Sequence, residues 1–140
     1  MEHLEEHCLL TDNEFKEQFQ NCTLNPNVFT HEAHLRLAWI HIRQYGIDKA
    51  IEQVRQQLQN FVAHLGVANK YNETVTVAST RAVYHFMLRS QAQNFNDFIS
   101  ENPRLKYNLK ELLFTHYDTN IFEEERARQE FLEPELIPFD

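Results

Sequence analysis

Tyr71-Asn72-Glu73-Thr74-Val75-Thr76-Val77 is the stretch on which the fold class turns. Its β-branched residues suit a strand. A lone strand, however, has no partner elsewhere in the chain, and Ala78, Ala82, Val83 and Phe86 continue at helical spacing. The stretch therefore reads as the opening of a helix over about 72–89. With that reading no strand remains, and the chain is all-α.

The pattern upstream agrees. Ile51, Val54, Leu58, Phe61, Val62 and Leu65 form one apolar stripe, expected of a helix capped by Asp48. Before it, Thr30 is placed to cap a helix over 31–45. Gly46 fits the position just past its end, and Ile47 is placed to touch Ile42. Gly66-Val67 repeats that stop, with Val62 as the inner partner. The chain holds only two glycines, and each falls where a helix should end. Thr11-Asp12-Asn13-Glu14 has the form of a capping box, opening a helix that carries Phe15 and Phe19 and ends near Cys22-Thr23. Leu24-Asn25-Pro26-Asn27 reads as a turn.

Downstream, shorter helical pieces are expected at 96–100, 109–116 and 123–131. Pro134 and Pro138 make 132–140 an extended tail. Phe131, Leu132, Leu136, Ile137 and Phe139 should fold that tail back over the bundle, since together they are too apolar to stand in water. The expected architecture is one domain: a compact bundle of four main helices plus short C-terminal helices and an extended tail, with residues 1–10 frayed.

Composition narrows the function classes. Hydrophobic residues make up 42% of the chain, including eleven Phe and five Tyr, enough for a core. Against 13 Lys+Arg stand 21 Asp+Glu, a net charge of −8, so a nucleic-acid partner is not expected. No apolar run approaches the ~18 residues of a membrane span, and no membrane partner is expected either. Met1-Glu2-His3-Leu4-Glu5-Glu6 is acidic and lacks an apolar signal region. Cys8 and Cys22 form no C-x-x-C and suggest reduced thiols, so the expected location is cytoplasmic. The Asn21-Cys22-Thr23 and Asn72-Glu73-Thr74 sequons then count as chance matches. Gly-rich phosphate loops, nucleophile elbows and H-E-x-x-H are all missing from the sequence. Oligomeric state is not legible.

The chemistry concentrates in Phe29-Thr30-His31-Glu32-Ala33-His34-Leu35. His31 and His34 are three residues apart, so both rings lie on one helix face, with Leu35, Ala38, Ile42 and Tyr45. The partial positive charge of a helix N-terminus favours a neutral imidazole at His31, suited to acting as a base or a metal ligand. The plainer alternative is that both rings hydrogen-bond neighbouring backbone or Tyr hydroxyls. On the fourth helix Tyr71, Thr74 and His85 share a stripe, with His85 available as a third nitrogen ligand. Imidazoles accept Zn or Fe, and the sequence does not choose between them. Glu32 points away from His31 and is expected in solvent, and Glu73 reads as an ordinary first-turn acid. His3, His7 and Cys8 read as floppy surface residues at a frayed end.

Phe29-x-His31-x-x-His34-Leu35, then Tyr71, Thr74 and Thr76 in a Tyr-x-x-Thr-x-Thr motif, then Ala127-Arg128-x-x-Phe131 and Pro134-x-Leu136-x-Pro138, resemble a family of small bacterial all-helical proteins of unassigned activity. The resemblance covers about residues 28–140. It implies a His-x-x-His pair facing a Tyr-His pair, but this chain carries Asn72 where the family commonly has His. Asn is a poor metal ligand beside imidazole, so the metal reading loses a donor there. Two expectations stand. One is a polar pocket between the second and fourth helices that binds a small molecule or metal, with His31, His34 and Tyr71 catalytic and Asn72, Thr74 and Thr76 orienting the ligand. The other is a non-catalytic interaction or regulatory module in which the histidines are structural.

Overall fold

In the computed structural model, which describes residues 4–140, the stretch that decides the fold class is helical from Glu73 onward. Asn72 is extended, and its side chain accepts a hydrogen bond from the Val75 N–H, which starts the helix. Thr76 then donates back to the Asn72 carbonyl and Thr80 to that of Thr76, at 2.7 and 2.9 Å. Those bonds satisfy the hydroxyls inside the helix and let a β-branched run stay helical.

Eight α-helices and no strand occur among the described residues. They are α1 (Asp12–Gln20), α2 (His31–Tyr45), α3 (Ile47–His64), α4 (Glu73–Met87), α5 (Phe95–Glu101), α6 (Pro103–Tyr107), α7 (Leu109–Phe114) and α8 (Glu125–Gln129). The four long helices, the short α5, α7 and α8, and the extended tail are those expected from the sequence; α6 is not. The Thr11–Glu14 capping box forms reciprocally, and Thr30 accepts from the Ala33 N–H. Gly66 has φ +77°, with Val67 N–H donating to Val62 O and Gly66 N–H to Ala63 O, the paired bonds of a Schellman stop.

Two boundaries differ. Gly46, at φ +85° and ψ 171°, reverses the chain within one residue and serves as the end of α2 and the start of α3. Asp48 therefore lies inside the first turn of α3 and caps nothing with its side chain. Pro103, just past the piece expected at 96–100, opens a further helix, α6, where its missing N–H has no partner to lose.

The helix α2 runs through the middle, packed against α1, α3, α4 and α6. It is buried on nearly every side, including Glu32, Arg36 and His41. Phe19 stacks on Phe61 of α3 with ring centroids 4.6 Å apart, joining α1 to the same core. The start of the chain is not frayed over the described residues. Glu6–Leu9 form a turn of 3-10 helix, and Arg36 donates to the His7 and Leu10 carbonyls at 2.6 and 2.8 Å.

The tail does return over the bundle. Tyr117 Oη donates to Leu132 O, Leu136 N–H to His116 O, and Phe139 stacks on the His116 ring. Leu136 and Ile137 nonetheless stay 54% and 57% exposed. No described helix is long and apolar enough to cross a membrane.

Candidate functional site

His31 is the first residue of α2, and its Nε2–H donates to the Leu105 carbonyl of α6 at 3.1 Å. His34 sits one turn further in, its ring 5.5 Å from that of Phe29. The His34 Nε2 has neither water access nor a hydrogen-bond partner. Burial, and secondarily the nearby His31, push its pKa down to about 4. His34 is therefore a neutral imidazole at ordinary pH, with its Nε2 left unpaired.

Both rings line a cavity of about 290 Å³ closed by Val75 and Ser79 of α4, Lys110 of α7 and Phe122. Lys106 of α6 also reaches it. That lysine is neutralised, pairing with Glu32 at 2.9 Å and Glu5 at 3.5 Å. Lys110 lies over the Phe122 ring, 5.3 Å from its centroid, and forms no ion pair among the described residues. The cavity thus presents apolar walls, a neutral imidazole, a hydroxyl and one uncompensated ammonium.

The Tyr-x-x-Thr-x-Thr half of the expected constellation does not face this cavity. Tyr71 precedes α4 in extended backbone, so its side chain does not follow the helix phase. Its hydroxyl donates to Glu73 at 2.5 Å, and Glu73 is clamped by Arg55 at 2.7 and 2.9 Å. Burial first, then Glu73, push Tyr71 up to about 12. Asn72 caps α4 and donates to Ile121 O. Thr74 donates to Glu130 O and accepts from the Leu132 N–H, pinning the tail. Thr76 bonds back within α4. Each of these polar groups has a structural partner, and none lines the cavity at His34.

His85 is also elsewhere. It pairs with Asp140 at the far end of α4 and lines a separate cavity. At 1.5 Å per residue, eleven residues of helix put it about 16 Å along the axis from Thr74. A shared stripe does not make a shared site at that distance.

What the sequence reading missed is a buried ionic cluster around Glu32. That side chain, expected in solvent, is 7% exposed, and His7, expected to be floppy, is fully buried. His7 Nε2–H donates to Glu32 at 2.6 Å, and Arg36 donates to His7 Nδ1 at 3.3 Å and to Asp12 at 2.9 Å. Burial opposes ionisation of Glu32, but hydrogen bonds from Lys106 and His7 outweigh it and hold the carboxyl below its ordinary range. The i,i+4 spacing of Glu32 and Arg36 is the one hint in the sequence, and it usually marks a solvated pair.

Neither histidine group fits Zn or Fe. No third His, Cys, Asp or Glu joins His31 and His34 among the described residues, and two lysines line their cavity. His7, Cys8 and Glu32 do offer ligand atoms within 4.8 Å of one another. Yet the Glu32 oxygens are held by His7 and Lys106, and burial and then Glu32 push the Cys8 thiol up, away from the thiolate a metal needs.

No protein-family model, curated protein or solved structure matches this chain. What the site does is therefore read from its own geometry.

Proposed function

We propose that the protein binds a small anionic molecule with an apolar part in the cavity at His31 and His34. The observation that carries the reading is the Lys110 ammonium, without an ion-pair partner among the described residues, on the lining of a cavity whose walls are largely apolar. The Lys110 ammonium supplies the charge preference, and Leu35, Val75 and Phe122 the apolar wall. His31 positions rather than binds, because its Nε2–H is committed to Leu105. Tyr71, Asn72, Thr74 and Thr76 serve the fold on this reading.

Titration with inorganic phosphate, acetate, butyrate and benzoate, followed through the imidazole resonances of His34, tests it. A saturable shift with at least one probe, lost in Lys110→Gln, is the expected result. No shift with any of the four, or shifts unaffected by Lys110→Gln, would overturn the proposal.

A further inference from the structure

A second cavity, of about 330 Å³, lies where the tail crosses α4 and α7. It shares no lining residue with the cavity at His34. Its walls are mainly apolar: Ala82 and Phe86 from α4, Leu112 from α7, and Ile137 and Phe139 from the tail. That volume falls at the lower edge of the range typical of small-molecule pockets, about 300–1,000 Å³.

The polar groups around it are sharply divided into spent and unspent. Asp140 takes up His85 and Arg89 with its carboxylate and Arg81 with its main-chain oxygen. His116 donates its Nδ1–H to the Ile137 carbonyl at 2.6 Å. Arg104 lines the same cavity, is exposed, and has no carboxylate partner among the described residues. One apolar chamber with one uncompensated guanidinium is complementary to a molecule with an apolar body and a single negative head. The tail displays compatible chemistry beside it, since the Phe139 ring stacks on His116 at 4.2 Å while the next residue offers its carboxylate to cations.

We infer that this cavity is a binding site for an apolar monocarboxylate, an arylalkanoate or a fatty acid of medium length, with the carboxylate on Arg104 and the body against Phe86, Leu112 and Phe139. The tail is part of the site rather than a covering alone. Ile137 and Phe139 supply two of its walls, and the Asp140 contacts hold them in place.

Calorimetric titration of the full chain with 4-phenylbutyrate, against 4-phenylbutanol as the neutral match, tests the inference. Arg104→Gln, at an exposed position that leaves the core untouched, should weaken phenylbutyrate by about tenfold or more. The alcohol's affinity should stay unchanged. Ala82→Leu, which adds atoms on the cavity wall, should remove binding of both. Lys110→Gln, at the other cavity, should leave phenylbutyrate binding as it was. Absence of phenylbutyrate binding, equal affinity in Arg104→Gln, or loss in Lys110→Gln would each overturn the inference; the last would place the probe in the cavity at His34.

Discussion

His41→Leu is the sharpest single test of how this core handles its imidazoles. His41 is 1% exposed, and neither ring nitrogen has a hydrogen-bond partner. Burial, with Lys16 a lesser contributor, holds its pKa down to about 4. The Gln57 side chain opposes that shift, but its Oε1 is unpaired too, so no hydrogen bond of ordinary geometry joins the two. An unpaired buried polar group costs about 1–3 kcal/mol. Leucine of similar bulk should therefore raise stability at pH 7 by about 1–2 kcal/mol once some packing mismatch is allowed.

The pH dependence gives an independent readout. Below the ordinary histidine value of 6.5 the unfolded chain takes up a proton that folded His41 refuses until about 4. Stability is thus fully present above 6.5 and drains away as pH falls through that window, by about 1.4 kcal/mol per unit. Between pH 7 and pH 5, above the range where carboxylates titrate, His41 accounts for roughly 2 kcal/mol of loss. His34 adds a loss of the same sign and persists in the variant. Urea unfolding followed by circular dichroism at both pH values should show the loss reduced by roughly 2 kcal/mol in His41→Leu. A variant less stable at pH 7 with an unchanged loss would refute the reasoning, because it would mean the ring nitrogens are satisfied in solution.

Other substitutions probe the devices that hold the site in place. Gly46→Ala should cost about 1–3 kcal/mol in urea unfolding. An added Cβ there meets no atom within 4 Å, so the whole penalty is the φ of +85°. Equal stability would show that the α2–α3 joint is not strained for an L residue. Arg36→Gln should cost about 3 kcal/mol and speed hydrogen exchange of the amides in Glu6–Leu9, since Arg36 ties that turn to α2. Protection unchanged in that turn would show that the ionic cluster does not anchor it. Thr30→Ala removes the cap of α2 and should cost about 1 kcal/mol; a loss below a few tenths would show that neighbouring packing, not the cap, sets the start of the helix.

Helix ends are the most legible feature of this chain, because the groups that make them are neighbours in sequence. Thr11 with Glu14, Thr30 with Ala33, Asn72 with Val75, and Val67 with Val62 each satisfy a terminal backbone group within five residues. Those signals are enough to place the long helices and to settle an all-α class over a strand at 71–77. His31 and His34 are likewise joined by helical spacing alone, and they do share a cavity wall.

What surrounds each helix is decided at a distance. A helical stripe assumes one buried face, but α2 has neighbours on four sides, so Glu32, Arg36 and His41 are enclosed as well as the stripe. Glu32 tolerates that enclosure only because His7 and Lys106, 25 and 74 residues away, arrive to share its charge. Tyr71 through Thr76 look like the other half of a histidine site in one dimension, yet Arg55, Ile121 and Glu130 take their polar groups for the fold. Local hydrogen bonds end helices and can be read from adjacent residues. Which polar groups are left unpaired depends on partners that only packing brings near, and here they include His34 Nε2 and both ring nitrogens of His41.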